Sequence, residues 1–358
     1  MQTFIKGADI SMLEELEQHG AQYSLHGQKQ DAFALLAGCG VNLIRLRLWH
    51  DPYSAAGEAY GGGTNDLAAT IRLARRAVSN GFSFLLDLHY SDFWADPAKQ
   101  FKPKAWETLH GKSLCDAVYR YTKDTLLTLY REGLLPQYVQ VGNEITNGFL
   151  WPDGHSDHPE AMASLLSAGI RAVREADPSI RIVLHLDNGA DRELYASWFA
   201  TVARYDLDYD IIGMSYYPFW NGTLEALTNN MNAVSCDLKK DVLIVETSIG
   251  YTTDPLGCTG VVYSQELEKR TPYPGTQSGQ AAFMQDLINA VRAVRNGRGI
   301  GVIYWEPAWL PIPACMWAKP IGCQYMHDTA ELGNSWANQA LFDKEGNANP
   351  ALLQLKSM

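Results

Sequence analysis

Eight short stretches of this chain alternate apolar and polar residues with a period of two. Each is followed by a stretch in which apolar residues recur every three to four positions. The first pattern predicts a half-buried strand and the second an amphipathic helix. Strands are predicted at Phe4–Ile10, Val41–Trp49, Phe82–Tyr90, Tyr138–Glu144, Ile180–Asp187, Ile211–Tyr217, Val242–Glu246 and Ile300–Trp305. The intervening helices are predicted around Asp31–Leu36, then over Leu67–Ser79, Leu114–Arg131, Glu160–Glu175, Glu193–Arg204, Leu224–Leu238 and Gln280–Arg295, with a short closing helix at Pro350–Lys356. Strictly alternating strand and helix imply a parallel sheet, and eight repeats close a (β/α)8, or TIM, barrel. No linker or change of composition interrupts the pattern, so residues 1–358 are expected to form one domain.

The loops are unequal in a way that carries function. Helix-to-strand connections are short, as at Asn80-Gly81 and Asp177-Pro178-Ser179. Strand-to-helix connections are long: 50–66, 91–113, 146–159, 247–279 and 306–349. In a TIM barrel the long set lies on the C-terminal face, where active sites are built.

Parity within the strands selects the side chains that point into the barrel. If Ile44, Leu46 and Leu48 face the helices, Arg45, Arg47 and Trp49 face inward. The same rule sends Asp87 and His89, Gln140 and Glu144, His185 and Asp187, and Ser215 and Tyr217 inside. Buried charges are costly unless paired, so so many ionisable groups at one end of a barrel imply a hydrogen-bonded network and a functional site.

Two strands end in a glutamate, Glu144 after Val139-Gln140-Val141-Gly142-Asn143 and Glu246 after Val242-Leu243-Ile244-Val245. Such a residue can simply mark where a strand meets water. Two of them converging on one cleft match the acid and nucleophile of a glycosidase. Glu306 ends the eighth strand and is the rival carboxylate; parity there does not decide which residues face in. Asn143 and Glu144 are adjacent, so both reach one ligand only if the strand end twists or bulges. Of ten tryptophans, Trp49, Trp94, Trp151, Trp220, Trp305 and Trp309 fall at or just after strand ends. Rings around one mouth suit stacking on a flat, partly apolar ligand such as a pyranose. Gly61-Gly62-Gly63 lacks the lysine and hydroxyl residue of a phosphate loop.

Composition narrows the partners. The formal net charge of -11 argues against nucleic acid or an anionic membrane, and no apolar run is long enough to span a bilayer. No cofactor or metal site is expected. The six cysteines lack zinc-site spacing. Cys39, Cys115 and Cys236 fall in helical patterns and read as buried thiols; Cys258, Cys315 and Cys323 lie in late loops, where a disulfide among them is the expectation and a metal site with His327 and Asp328 the lesser alternative. The first residues carry no signal-peptide pattern. An extracytoplasmic mature form is the favoured reading, with a cytoplasmic protein as the alternative, and a monomer is expected.

Several motifs in order resemble glycoside hydrolase family 53. They are Lys6-Gly7-Ala8-Asp9-Ile10-Ser11, Arg45-Leu46-Arg47-Leu48-Trp49, Asp87-Leu88-His89-Tyr90-Ser91-Asp92-Phe93-Trp94, Val141-Gly142-Asn143-Glu144-Ile145, Gly213-Met214-Ser215-Tyr216-Tyr217-Pro218, Val245-Glu246-Thr247 and Tyr304-Trp305-Glu306-Pro307-Ala308-Trp309. The resemblance runs from about residue 3 to about residue 345. It implies a clan A barrel acting as a retaining endo-β-1,4-galactanase on galactan and type I arabinogalactan, the side chains of pectin. Glu144 would be the acid/base and Glu246 the nucleophile. Asn143 would hold the sugar 2-hydroxyl. Tyr217 with Arg45 or Arg47 would keep Glu246 ionised and lower its pKa. Trp305 would floor the subsite of the sugar being cleaved and His89 would line it, with Asp187, Asn188, Trp94 and Trp309 serving neighbouring sugars. The loop after the seventh strand, Tyr251–Gly260, has one acid where many bacterial members carry a calcium-binding stretch, so no calcium is expected there. Two alternatives remain open: a clan A hydrolase of another β-1,4-glycan such as mannan or glucan, and a carbohydrate-binding barrel without turnover.

Overall fold

The computed structural model describes residues 3–358. Its centre is a closed barrel of eight parallel strands: β1 (Ile5–Asp9), β2 (Leu43–Leu48), β3 (Ser83–Leu88), β4 (Tyr138–Val141), β5 (Arg181–Leu186), β6 (Ile211–Ser215), β7 (Asp241–Glu246) and β8 (Gly299–Trp305). Each strand pairs with the next, and β8 closes on β1. This is the (β/α)8 architecture expected from the pattern.

The barrel interior is layered by polarity. Ile5, Leu43, Leu85, Val183, Ile211, Leu243, Val245, Ile300 and Ile303 form an apolar plug in its lower part. Above the plug the same strands turn polar, with Asp9, Arg45, Arg47, Asp87, Gln140 and His185 all fully buried. Outward-facing residues such as Ile44, Leu46, Phe84, Leu86, Ile182, Leu184 and Ile212 join the core under the helices. The lower layer removes apolar surface from water and the upper layer carries chemistry.

Side-chain caps start several helices. Asp66 accepts from Ala69 N (2.7 Å), Asp191 from Leu194 N (3.0 Å) and Thr223 from Ala226 N (3.1 Å), each satisfying an otherwise orphaned donor. The main helices are Ala32–Gly38, Leu67–Ser79, Gly111–Arg131, Pro159–Ala176, Arg192–Val202, Leu224–Leu238 and Gln277–Arg292. These agree with the predicted set to within a few residues at the ends.

Strand β8 explains why parity failed there. Gly299 pairs with Val242 and Gly301 with Leu243, so the register slips between them. Ile300 and Ile303 consequently both face the plug. The slip depends on Gly301, where an added Cβ would stand 2.3 Å from Ile5 Cβ.

The loop after β8 is partly ordered, with a helix at Pro320–Met326. It reaches across the barrel mouth to the loops after β2 and β3. Lys319 N–H donates to Tyr60 O (2.7 Å), Trp94 Nε1–H to Trp317 O (2.8 Å) and Lys99 Nζ to Asp328 (3.0 Å). The expected disulfide among Cys258, Cys315 and Cys323 is not formed; all six cysteines are free thiols. Cys315 lies against the carbonyl of Glu15, and Cys323 packs with Trp49, Tyr60 and Phe93. Nor do these residues gather with His327 and Asp328 around a metal position: among the described residues, no group of three His, Cys, Asp or Glu side chains is placed to hold an ion. Cys236, expected buried, is exposed.

Candidate active site

Arg45 is the hub of the polar layer. One of its terminal nitrogens, NH1, holds Asp9 Oδ2 (2.8 Å). The other, NH2, contacts Asp87 Oδ2 (2.8 Å), Glu246 Oε1 (2.8 Å), Asn143 Oδ1 (2.9 Å) and Gln140 Oε1 (3.2 Å). Five strands thus meet on one guanidinium, whose planar fork suits several oxygens at once. Arg47 sits beside it, on Asp9 Oδ1 (3.0 Å) and Glu306 Oε1 (2.6 Å). Of the two arginines offered for Glu246, Arg45 is the one that binds it.

The end of β4 breaks the strand alternation. Gly142 has φ +83° and Glu144 has φ +47°. This left-handed turn brings Asn143 and Glu144 to the same side, resolving the conflict posed by their adjacency. A Cβ on Gly142 would stand 2.6 Å from Ile145 Cγ2, so the turn requires glycine for space as well as conformation. The end of β7 uses a related device. Met214 pairs with Ile244 but Ser215 pairs with Glu246, a slip of one residue. Val245 packs into the barrel plug and Glu246 still reaches the cleft. The slip lets two consecutive residues serve the interior.

The two glutamates have different surroundings. Glu246 is held by Arg45 and by the Tyr217 hydroxyl, which donates to Oε2 (3.1 Å). Burial raises its pKa, Arg45 opposes the rise, and Asp87 and Asp9 add to it. The sequence reading expected an arginine to depress this pKa; the net direction is upward, because burial, with the charges of Asp87 and Asp9, outweighs the pull of Arg45. Among the described residues, no cation pairs with Glu144. Its Oε1 contacts Ser215 Oγ at 2.6 Å. Burial first, then the charges of Glu246 and Asp187, push its pKa well above the ordinary 4.5. Both carboxyls are raised, and Glu144 is the one that lacks a compensating cation.

Glu246 and Glu144 line one cleft of about 800 Å³ together with Arg47, His89, Asn143, Asp187, Asn188, Ser215 and Tyr217. Its aromatic walls are Trp94, Trp220, Trp305, Trp309, Trp317 and Trp336. The Trp305 ring stands 4.6 Å from Trp336, 6.0 Å from Trp309 and 6.1 Å from Trp94. The Arg47 guanidinium lies 4.7 Å from the Trp94 ring and 5.3 Å from the Trp305 ring, a cation–π contact that stiffens the wall. Trp220 is the exposed rim, with 47% of its surface open. His89 donates from Nε2 to Asp87 Oδ2 (2.9 Å) and accepts at Nδ1 from Trp49 Nε1 (3.2 Å). Asp187 is held by Thr146 and Asn188, and Asn221 donates to Asn188 Oδ1 (2.8 Å).

All the site residues predicted from sequence therefore reach this end of the barrel. Trp49 and Trp151 do not line the cleft with the other tryptophans: Trp49 is fully buried and meets Trp94 edge-on, and Trp151 packs at a tilt against His155. Glu306, the rival carboxylate, is fully buried beneath the cleft, where it accepts from Arg47 and Met12 N (3.1 Å). Burial lifts its pKa to about 8 against the pull of Arg47. It anchors the turn after β1 through Met12 N. The sequence reading missed Asp9, the shared counter-charge of both arginines, and Trp336, which lies far inside a long loop.

Comparison with known proteins agrees with this fold. The profile of glycosyl hydrolase family 53 matches residues 5–355. An endo-beta-1,4-galactanase of Bacillus subtilis is 40% identical over 371 residues, which cover 98% of this chain and 84% of that protein. A solved structure, the GH53 catalytic domain of Ignisphaera aggregans, superposes with a TM-score of 0.91 at 38% identity, covering 98% of this chain and 95% of that one. A structure from a study of two fungal beta-1,4-galactanases gives 0.81 at 29% identity, covering 99% of each chain.

Proposed function

The chain belongs to glycosyl hydrolase family 53 and is a glycoside hydrolase; from that premise we propose that it is an endo-acting, retaining β-1,4-galactanase with Glu246 as nucleophile and Glu144 as acid/base. The observation that carries the roles is the asymmetry of the pair. Both carboxyls are raised, but Glu246 rests on Arg45 and Tyr217, whereas among the described residues the side-chain hydrogen-bond partner of Glu144 is the Ser215 hydroxyl, with no cation opposing the rise. A double displacement needs one carboxylate ionised and the other carrying a proton.

In the first step a Glu246 oxygen attacks the anomeric carbon while the Glu144 proton passes to the glycosidic oxygen. The carbon–oxygen bond breaks and the shortened chain leaves as an alcohol. In the second step Glu144, now ionised, takes a proton from water; that water attacks the same carbon and Glu246 departs. Arg45 stabilises the carboxylate of Glu246 before attack and after release. The Tyr217 hydroxyl, whose pKa burial and the neighbouring carboxylates push well above 10, stays protonated as its donor. Asn143 presents its side chain beside Glu246 through their shared contact with Arg45. Trp305 offers a flat face for the apolar side of a galactose ring, and an open cleft lined by further tryptophans suits attack within a polymer. The substrate class is supported by the galactanase relatives.

Reducing-sugar release from linear β-1,4-galactan tests the proposal, with mannan, xylan and carboxymethylcellulose in parallel. Cleavage of galactan with the others left intact is expected. Preferential cleavage of another glycan contradicts the substrate, and a folded protein that cuts none of them contradicts turnover.

A further inference from the structure

We infer that Ser215 and His185 are positioning residues that hold the proton of Glu144 on its Oε1 oxygen, through a buried chain whose hydrogens are all committed. The inference rests on the reading of Glu144 as acid/base.

It begins at Asn143, whose orientation is fixed from both ends. Nδ2 donates to Ala95 O (2.9 Å) and Oδ1 accepts from Arg45 NH2 (2.9 Å). That same Oδ1, an acceptor only, lies 2.9 Å from His185 Nδ1. Two acceptors do not approach so closely, so the ring hydrogen sits on Nδ1. Gln140 Nε2 is also near Nδ1 (3.1 Å), but its hydrogens have Asp87 Oδ1 (2.6 Å) and Gly142 O (3.1 Å) as acceptors. Glu144 N–H also points at Nδ1, but at 3.3 Å this is the longest of the three contacts, and the 2.9 Å approach of Asn143 Oδ1, which has no hydrogen to give, outweighs it. His185 is fully buried. Burial, and after it the charges of Arg45 and His89, keep the ring neutral with a single hydrogen.

With that hydrogen on Nδ1, Nε2 is a bare acceptor 2.8 Å from Ser215 Oγ. The serine has one hydrogen, and Nε2 takes it. Glu144 Oε1 lies 2.6 Å from the same Oγ, a normal O–H···O separation. An ionised Glu144 would accept the serine's hydrogen here and leave Nε2 without a donor; with that hydrogen given to Nε2, the contact takes its hydrogen from the carboxyl. The chain therefore runs from Glu144 Oε1–H to Ser215 Oγ–H to His185 Nε2, and from His185 Nδ1–H to Asn143 Oδ1. When Glu144 gives its proton to the leaving alcohol, Ser215 keeps its own hydrogen and turns it toward Oε1, and Nε2 loses its donor. The chain thus favours the protonated acid. The charged groups bearing on Glu144 from other elements are Glu246, Asp187 and Asp96.

Two readouts decide it. Nitrogen-15 NMR of histidine-labelled enzyme, with the His185 signals identified by their loss in His185→Gln, is expected to give a neutral ring protonated on Nδ1. A ring protonated on Nε2 would overturn the inference. The alkaline limb of the kcat/KM–pH profile on galactan is expected to move down by about 0.5–1 pH unit in Ser215→Ala and to return in Ser215→Thr. An upward shift, the result if serine donated to an ionised Glu144, would overturn it, as would no shift. A limb that survives in Glu144→Gln would instead contradict the acid/base reading, and the NMR result would still judge the chain by itself.

Discussion

Arg45 and Glu246 meet at 2.8 Å, with the arginine side chain wholly buried and the glutamate at the floor of the cleft. This contact joins the folding problem to the chemical one. Arg45 also pairs with Asp87 and, together with Arg47, with Asp9, both aspartates fully buried, so Glu246 and Asp87 share one arginine for their counter-charge.

Substituting Arg45 by Gln should therefore damage stability and activity together. It leaves three carboxylates around an uncharged amide, and breaking a buried ion pair from one side costs about 3–5 kcal/mol. Urea unfolding with kcat/KM measured alongside checks this. Arg45→Lys, which keeps the charge but loses the fork, should recover more stability than activity.

Glu144 sets a stability–activity conflict with a definite sign. Its pKa is raised in the folded protein above the ordinary 4.5. The stabilising contribution of the neutral form is fully present below pH 4.5 and is lost as pH rises through the folded value. Glu144→Gln removes that loss. The variant should match wild type in melting temperature near pH 4 and exceed it at pH 7 to 8, while losing nearly all galactan cleavage. Thermal melts across that range check the sign; a variant less stable at pH 8 than wild type contradicts it.

At Gly142 the expected damage is geometric. Alanine there meets a φ of +83° and Ile145 at 2.6 Å, a strain of about 1–2 kcal/mol. The turn that aims Asn143 and Glu144 must shift in response. Gly142→Ala should lower kcat far more than it lowers the melting temperature, as paired kinetics and calorimetry would register.

Much of this site could be read from the sequence, and the failures have physical causes. Strand parity placed Arg45, Arg47, Asp87, His89, His185 and Ser215 correctly because outward neighbours such as Ile44, Leu46, Phe84 and Leu184 are unambiguously apolar. Parity could not handle the ends of β4 and β7 or the start of β8, where a left-handed turn or a slipped register puts consecutive residues on one side. Asp9 was passed over because the first strand has apolar residues on both parities, Ile5 on one and Phe4, Ala8 and Ile10 on the other; the need of two inward arginines for a counter-charge was the available signal. Trp336 and the helix Pro320–Met326 belong to a loop whose order comes from contacts with distant loops, and local periodicity carries no trace of that. Three loop cysteines suggested a staple, but Cys315 and Cys323 are packed as apolar side chains.

Trp220 offers a test of the cleft that leaves the fold alone. It is nearly half exposed at the rim, so Trp220→Ala should leave the melting temperature unchanged. Loss of a stacking face worth about 1 kcal/mol should raise KM for galactan roughly fivefold with kcat little affected. A collapse of kcat would place Trp220 closer to the reacting sugar than the rim position implies.

The division of labour between Glu144 and Glu246 is tested most directly by azide rescue on a dinitrophenyl β-1,4-galactobioside. This leaving group needs no acid, and azide replaces whichever carboxylate is missing. Glu144→Ala should form the galactosyl enzyme and release a β-galactosyl azide, whereas Glu246→Ala should give the α-galactosyl azide by direct displacement. NMR of the anomeric proton distinguishes the products. The assignment predicts β from the first variant and α from the second; the reverse pairing, or rescue through Glu306→Ala in place of either, would contradict it.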